Sequence, residues 1–279
     1  MKLSRICWLL TTILTSANKN LAPCGAFVFL KISYYEFMPH FSNTLKISRS
    51  GLKLFLDCPR CFWLDLHHKV KRPPGYPYTL SAAVDYLVKR EFDGYREKGE
   101  LPPVLINAGI KDAKLYNGDD LAEWRNNFKG ISFVDENLNA RLYGAVDDVL
   151  EFSDGSLAVV DYKSSGSKEI TIYDDYQKQM DIYNWILKQK GYDTYPEAFF
   201  VFYQVQKEED GFHNVLKFKE QVKPVKVNLE WVGSVFEAAV ELARQDEPPL
   251  VSGNTQKHCD HCHYVEMASQ FKIIPDLNI

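Results

Sequence analysis

The segment GAVDDVLEFSDGSLAVVDYKSS, residues 144 to 165, indicates the fold of this chain most directly. Two runs rich in apolar and β-branched residues flank the turn residues Ser153 to Ser156, so the stretch predicts two β-strands joined by a tight turn. The run Leu157 to Val160 is apolar without alternation, which is typical of a strand covered on both faces. The second strand is therefore expected to lie at the centre of a sheet.

Two helices are predicted before this strand pair. In SRSGLKLFLDCPRCFWLDLHH, residues 48 to 68, apolar residues recur at helical spacing, Ser48 or Ser50 is placed to cap the helix, and Pro59 limits its length. In LSAAVDYLVKREFDGYREKGE, residues 80 to 100, an amphipathic helix is predicted to end at Gly99. Its apolar side is predicted to consist of Leu80, Ala83, Val84, Leu87, Val88 and Phe92.

The remaining elements complete a mixed pattern. Before the turn, strands are predicted in ISFVDENL and ARLYGAVDDVLEF. After it come a helix in DDYQKQMDIYNWILKQKG, two strands in PEAFFVFYQVQ and HNVLKFKEQVKPVKV, and a last long helix in NLEWVGSVFEAAVELARQ. This order predicts an α/β (α+β) domain with a central mixed β-sheet flanked by helices.

The composition is that of an ordinary globular protein. With 279 residues, of which 46% are hydrophobic, the chain can bury a substantial core. Its formal net charge is -4, so the chain as a whole is not a basic nucleic-acid-binding protein. Contact with DNA or RNA would depend on local basic patches, or on bound metal cations that offset the repulsion of the phosphates.

The first 37 residues have two interpretations. MKLSRICWLLTTILTSANKN begins with basic residues and continues with a short apolar run, as a secretory signal peptide does. The alternative is that residues 1–37 are an upstream extension of the reading frame and that the native chain starts at Met38, so that the domain spans residues 38–279. The apolar run is too short to span a bilayer, and no membrane association is expected.

Asp161 and Lys163 follow the apolar run directly. Because they are two residues apart in a strand, both side chains leave the same face. Asp147 on the neighbouring strand is placed to supply a second carboxylate to a hard divalent cation, and the carbonyl of Tyr162 a further oxygen. Lys163 would then orient an attacking water or neutralise a phosphate charge. The alternative is that these residues are simply solvated where a strand emerges from the core.

Three short motifs occur in order around this strand pair. They are Gly144-Ala145-Val146-Asp147, Asp161-Tyr162-Lys163 and Gln179-Met180-Asp181-Ile182-Tyr183. Their order and spacing resemble the PD-(D/E)XK nuclease superfamily, specifically its RecB-like branch, which includes CRISPR-associated RecB-type exonucleases. The resemblance covers roughly residues 48 to 268 and implies a restriction-endonuclease-like core. Gln179 and Tyr183 are four residues apart and share one face of the predicted helix.

The resemblance implies a metal-dependent nuclease that hydrolyses DNA phosphodiester bonds with Mg²⁺ or Mn²⁺. It further implies an exonuclease in DNA repair, recombination or CRISPR adaptation, acting on single-stranded DNA or duplex ends, with protein partners in a repair or CRISPR complex. The residues expected to be catalytic are Asp147, Asp161, Lys163, Gln179 and Tyr183. The metal ligands are expected to be Asp85, Asp147, Asp161 and Tyr162, the last through its carbonyl.

Asp85 marks a departure from the family. Where members often carry a Gly-x-x-x-His pattern on the first helix, this chain has Ser81-Ala82-Ala83-Val84-Asp85. A carboxylate can bind a hard cation as well as a histidine can, so Asp85 is predicted to complete the metal site. The alternative is an acidic residue that the helix dipole favours near the N-terminus. Asp148 and Glu151 are lesser candidates for ligands.

Four of the six cysteines form two Cys-x-x-Cys pairs, Cys58 with Cys61 and Cys259 with Cys262. This spacing lets both sulfurs of a pair reach one centre, so the pairs predict a metal site that clamps the two ends of the domain together. Metal binding of this kind contributes on the order of 10 kcal/mol to folding. The alternatives are two disulfides, or thiols buried as small hydrophobic side chains.

Two candidates remain for the metal of the cysteine site. RecB-like nucleases with an iron–sulfur cluster have one Cys before the nuclease core and three after it, whereas this chain has two and two, with Ala268 where a last Cys is expected. A 4Fe-4S cluster is expected, with structural Zn²⁺ as the alternative. The neighbouring His258, His261 and His263 are expected to be polar neighbours rather than ligands. Because thiolate–metal sites are built in the cytosol, a cytoplasmic location is expected.

Two other functions compete with the nuclease. One is a non-catalytic nucleic-acid-binding module that keeps the nuclease scaffold, and the other is a zinc-stapled interaction protein. The segment KVKRPPGYPY, residues 69 to 78, combines Lys69, Lys71 and Arg72 with Tyr76 and Tyr78. Basic and aromatic residues together suit single-stranded nucleic acid, and the alternative for this segment is a solvated linker.

Overall fold

The computed structural model describes residues 44–208, 210–250, 252–254 and 257–271. The segment 1–37, with its two interpretations, lies outside the described residues, as does Met38. Among the described helices, none has both the length and the apolar composition needed to cross a membrane.

Two of the predicted helix boundaries lie at capping residues. The side chain of Ser48 accepts a hydrogen bond from the N–H of Gly51 at 3.0 Å, and Gly99 takes a left-handed conformation with φ of 69°, so both predicted helix boundaries are confirmed. The helices are α1 Arg49–Asp57, α2 Pro59–His68, α3 Thr79–Lys98, α4 Pro103–Asn107, α5 Leu121–Trp124, α6 Asp174–Gln189, α7 Glu230–Ala243 and α8 Asp260–Ser269.

The described strands form two mixed sheets. The strands are β1 Leu45–Ser48, β2 Ala113–Leu115, β3 Ile131–Asp135, β4 Ala140–Gly144, β5 Asp148–Phe152, β6 Leu157–Ser165, β7 Glu197–Val205 and β8 Phe218–Lys226. One sheet has the order β1-β4-β3 and the other β2-β5-β6-β7-β8, with β6 and β7 parallel. The predicted mixed α/β class is confirmed, with two sheets in place of one.

Strand β6 lies at the centre of the larger sheet and is covered on both faces. Leu157 and Val159 belong to a core that also contains residues of α1, α2, α6 and α7. Ala158 and Val160 belong to a second core, which α3 and α4 cover. Two cores on opposite faces of one strand explain why its run of apolar residues shows no alternation.

The prediction of one continuous strand in ARLYGAVDDVLEF is wrong. The structure divides this segment into β4 and β5, which lie in different sheets, and residues 145–147 connect them. The N–H of Val146 donates to the carbonyl of Trp124 at 3.1 Å, so a backbone hydrogen bond holds the connection outside both sheets. Both halves have a strand-like composition, and for that reason the sequence contains no break signal.

The predicted apolar side of α3 is only partly correct. Val88 and Phe92 are buried in the second core, but Leu80 and Leu87 are 60% and 59% exposed. The contacts of α3 with this core come from Val84 onward, so the first turns of the helix have no apolar surface beneath them among the described residues. An apolar stripe predicts which face of a helix is buried, but not how far along the helix a partner extends.

A buried carboxylate joins α3, α5, β5 and β6. Asp148 has no exposed surface, and its two oxygens accept from Arg96 Nη2 at 2.5 Å, Arg125 Nη2 at 2.6 Å and Tyr162 Oη at 2.7 Å. Buried charges persist in folded proteins when opposite charges and hydrogen bonds satisfy them, as here. The role of Asp148 is therefore structural, and its oxygens are not available to a metal ion.

Replacing Asp148 with Ala is expected to destabilise the fold by about 3–5 kcal/mol, because Arg96 and Arg125 would stay buried without their counter-charge. Urea unfolding of the purified chain measures this loss. Glu151→Ala on the same strand is the control, since Glu151 pairs at 3.2 Å with the exposed Lys114 and its loss is expected to cost about 1 kcal/mol or less. Equal destabilisation by the two substitutions would contradict the structural role of Asp148.

Candidate functional site

Strand β6 and helix α6 bring three of the predicted site residues together. Asp161 is 2% exposed, and its carboxylate accepts hydrogen bonds from Lys163 Nζ and, at 2.5 Å, from Gln179 Nε2. Lys163 Nζ also lies 5.2 Å from the ring centroid of Tyr176 and 5.8 Å from that of Phe200. Asp161 and Lys163 thus share one face of β6, as the two-residue period predicts.

Asp147 lies immediately before β5, beside β6. Its Oδ2 accepts from the backbone N–H of Tyr162 at 3.0 Å, and its Oδ1 pairs with Lys89 Nζ of α3 at 2.8 Å. The side chain of Tyr162 is buried on the opposite face of β6, where its hydroxyl donates to Asp148. The side chain of Tyr162 therefore cannot bind a metal ion at this site. The backbone carbonyl of Tyr162 remains the candidate ligand.

The negative charge of Asp161 is unfavourable at this site. Burial, and after it the negative charge of Asp147, raise the pKa of Asp161 to about 7, although Lys163 and Arg49 work in the other direction. Two hard carboxylates that repel each other in a buried position are the type of ligand that divalent Mg²⁺ or Mn²⁺ prefers. The donor set formed by Asp147 and Asp161 therefore fits such an ion.

Asp85 is near this site, but its carboxylate contacts Lys89 and not the carboxylates of the site. Its carboxylate bonds to Lys89 Nζ at 2.9 Å, so that one ammonium group connects Asp85 to Asp147. Burial opposes the charged form of Lys89, but the carboxylates of Asp147 and Asp85 outweigh it and raise the pKa of Lys89. Among the described residues, the acidic side chains do not bring three potential ligand atoms together as the four cysteines do.

Tyr183 and Arg49 form the wall of the site on the side of α6 and α1. Tyr183 is buried, and burial raises its pKa, while a hydrogen bond and the charge of Arg49 lower it. Gly144 accommodates this pair, because a Cβ at position 144 would lie 2.7 Å from Tyr183 Cε1 and 3.0 Å from Arg49 Cβ. The glycine of the first motif is therefore required by the tyrosine of the third.

Arg49 is a candidate site residue that the sequence motifs do not single out. It is the first residue of α1, where a positive charge opposes the helix dipole. Its charge also acts on Asp161, whose pKa it lowers. A basic residue in an unfavourable helix position is a weak sequence signal for a role outside helix stability.

The cysteine pairs converge as predicted. Cys58 and Cys259 are the N-cap residues of α2 and α8, and each accepts a hydrogen bond from the N–H of the second cysteine of its pair, at 3.4 and 3.5 Å. The four sulfurs all lie within 4.8 Å of one another, and all four thiols are free of disulfides. The two cysteine pairs thus meet at one four-cysteine centre.

Arg72 belongs to this cysteine centre, not to an open DNA-binding segment. Its Nη2 donates to Cys259 Sγ at 3.3 Å, and its Nη1 lies 3.6 Å from Asp57. Burial raises the pKa of Cys259, but hydrogen bonds from Cys262 and Cys61 together with the charge of Arg72 lower it to about 7. Tyr76 and Tyr78, by contrast, are 91% and 78% exposed.

The chain matches the family model of the PD-(D/E)XK nuclease superfamily over residues 79–267. This range includes Asp147, Asp161 and Gln179 but begins after Cys58 and Cys61. A solved structure titled "Crystal structure of SSO0001" is similar at a TM-score of 0.37 and 14% sequence identity, over 76% of this chain and 82% of that chain. The curated proteins contain no significant match.

Gly144→Ala is expected to destabilise the fold by about 1–3 kcal/mol, because the added methyl group overpacks the contact with Tyr183 and Arg49. Chemical unfolding measures the loss. Gly166→Ala is the matched control, since a Cβ there meets nothing within 4 Å. If a Tyr183→Leu background does not reduce the cost of Gly144→Ala, the proposed steric reason is wrong.

Proposed function

We propose that this chain, which belongs to the PD-(D/E)XK nuclease superfamily, is a metal-dependent nuclease. It would hydrolyse DNA phosphodiester bonds with Mg²⁺ or Mn²⁺. The observation that carries the proposal is the arrangement of Asp147, which immediately precedes β5, beside Asp161 and Lys163 within the neighbouring strand β6. Two carboxylates and one ammonium group on a shared surface are the groups that phosphodiester hydrolysis requires.

The proposed roles follow from the contacts of each residue. Asp147 and Asp161 would hold the metal ion together with the carbonyl of Tyr162, and the ion would supply Lewis-acid stabilisation of the charge on the scissile phosphate. Lys163 would position the attacking water or stabilise the developing charge. Gln179 donates to Asp161 and so fixes the orientation of that carboxylate.

The side of the site near α1 and α3 supplies the positive charge that a net acidic chain needs in order to approach DNA. Arg49 acts on Asp161 and Tyr183, and Lys89 bridges Asp85 and Asp147. Tyr183, which is buried beside Arg49, would orient the site or the DNA backbone. Both cations lie beside the carboxylates, so a phosphate at the metal would be within their field.

The finer assignment that we propose is a RecB-like exonuclease of DNA repair, recombination or CRISPR adaptation, which acts in the cytoplasm on single strands or duplex ends. Its support is the order of the three motifs that end at Asp147, Lys163 and Tyr183. Protein partners in such a pathway belong to the same proposal.

A second function, a non-catalytic nucleic-acid-binding module, has one observation in its favour. Asp85 stands where the family often has a histidine, and its carboxylate is engaged with Lys89. If Asp85 stays paired with Lys89 and does not bind the metal, only Asp147 and Asp161 supply side-chain ligands, instead of the three that are expected.

Asp161→Ala and Lys163→Ala are expected to reduce cleavage of end-labelled DNA in Mn²⁺ by on the order of 100-fold or more, with the fold intact, because each removes a group that acts on the reacting phosphate or its metal. Circular dichroism checks the fold. Lys168→Ala, which removes an exposed lysine on the segment after β6, is the control and should cleave as the unmodified chain does. Full activity of Asp161→Ala would refute the proposal.

Titration with Mn²⁺ distinguishes the enzyme from the binding module. For the enzyme, cleavage of end-labelled single- and double-stranded DNA begins when Mn²⁺ is restored after chelation, and Asp85→Asn raises the Mn²⁺ concentration needed. For the module, DNA stays bound in chelator and uncut after Mn²⁺ returns. A normal Mn²⁺ requirement in Asp85→Asn would exclude Asp85 as a ligand without affecting the roles of Asp147 and Asp161.

A further inference from the structure

The four-cysteine centre departs from the iron–sulfur pattern in its donor set. The resemblance implies one Cys before the core and three after it, but Cys58 and Cys61 stand on the N-terminal side and Cys259 and Cys262 on the C-terminal side. Each pair occupies the first turn of its own helix, α2 or α8. The centre is thus built from two equivalent halves, a symmetry that is common in structural zinc sites.

The distances between sulfurs have the size expected around a single ion. In a tetrahedral site with metal–sulfur bonds of about 2.3 Å, neighbouring sulfurs are separated by about 3.8 Å. The sulfur of Cys262 lies 3.8 Å from that of Cys58 and 3.4 Å from that of Cys61. The sulfur of Cys61 also lies 3.6 Å from that of Cys259.

A 4Fe-4S cluster requires a different arrangement of the same residues. Each of its four thiolates binds a separate iron, so the iron and sulfide atoms stand between the cysteine sulfurs and hold them apart. Here the sulfurs of Cys61 and Cys262 each lie within 3.8 Å of both sulfurs of the opposite pair. All four sulfurs lie within 4.8 Å of one another. The space between the sulfurs fits one ion and is too small for a cluster.

The surroundings of the sulfurs compensate the charge of a tetrathiolate site. Four thiolates and one Zn²⁺ leave two negative charges, which favourable dipoles at the N-termini of α2 and α8 and the guanidinium of Arg72 offset. The N–H of Gly253 donates to Cys58 Sγ at 3.2 Å, so the loop before α8 also contributes. Hydrogen bonds of this kind orient ligands around a metal and tune it.

We propose that Cys58, Cys61, Cys259 and Cys262 bind one structural zinc ion with tetrahedral geometry, in place of the iron–sulfur cluster that the family resemblance implies. Four protein ligands close the coordination shell, so the ion takes no part in hydrolysis. It joins the start of α2 to the start of α8, although Cys58 and Cys262 are 204 positions apart in the sequence. This proposal is independent of the nuclease proposal, because it is tested by metal content and not by cleavage.

Metal analysis tests the proposal on the full chain. The chain is produced in iron-supplemented cells, purified without oxygen, and then incubated anaerobically with Fe²⁺ and sulfide. A colourless protein with one zinc per chain, which takes up no stoichiometric iron, is the expected result. A brown protein with broad visible absorption, about four irons per chain and matching acid-labile sulfide would overturn the proposal.

Substitutions test the ligand set. Cys262→Ser, at the half-buried position of the centre, is expected to lower zinc content severalfold and to reduce the thermal midpoint of the chain. His261→Ala and His263→Ala are the matched controls on the same helix and should keep one zinc per chain. Should Cys262→Ser fail to fold, replacement of zinc by Co²⁺ in the unmodified chain gives the second readout. Absorption typical of a tetrahedral four-thiolate site supports the proposal, and an octahedral spectrum, or zinc loss in either histidine variant, would contradict it.

Discussion

The burial of the Asp148 carboxylate is the constraint on which the site depends. Its oxygens hold Arg96 of α3, Arg125 after α5 and the hydroxyl of Tyr162 in β6, so four separate segments meet at one charge. Arg125 also donates through Nε to the carbonyl of Asp147 at 2.9 Å. The two consecutive aspartates therefore have different roles. Asp148 is directed into the interior and holds the elements together, while Asp147 is held in the position from which its carboxylate faces Asp161.

The site is assembled by packing from the side opposite to that charge network. Gly144 lets Tyr183 of α6 and Arg49 of α1 approach the end of β4, since a side chain at that position would occupy the same space. Helix α1 continues directly into Cys58 and so into the cysteine centre. The four cysteines consequently hold one end of α1 while its other end carries Arg49 to the carboxylates. One short helix, α1, therefore lies between the cysteine centre and the acidic site.

The acidic site itself is held in an electrostatically unfavourable state. Asp161 is buried beside Asp147, and the resulting rise in its pKa reflects both the loss of solvent and the like charge. Lysines at positions 89 and 163 compensate in part. Perturbed carboxylates of this kind concentrate at functional sites, because a fold without use for them would replace them with neutral residues at a gain in stability. The same site is thus both electrostatically unfavourable and a candidate for chemistry.

Local patterns in the chain were sufficient for the strand pair of β5 and β6, the central position of β6, the shared face of Asp161 and Lys163, and the helix ends at Ser48 and Gly99. Each of these depends on residue periodicity or on a capping residue within a few positions. Four features required the folded chain: the break between β4 and β5, the arginines around Asp148, the engagement of Asp85 by Lys89, and the position of Arg49. All four arise from contacts between distant segments or from the competition of one side chain for several partners. Spacing predicted that the cysteine pairs bind metal, but the separation of their sulfurs, on which the choice between one ion and a cluster depends, exists only where the two ends of the domain meet.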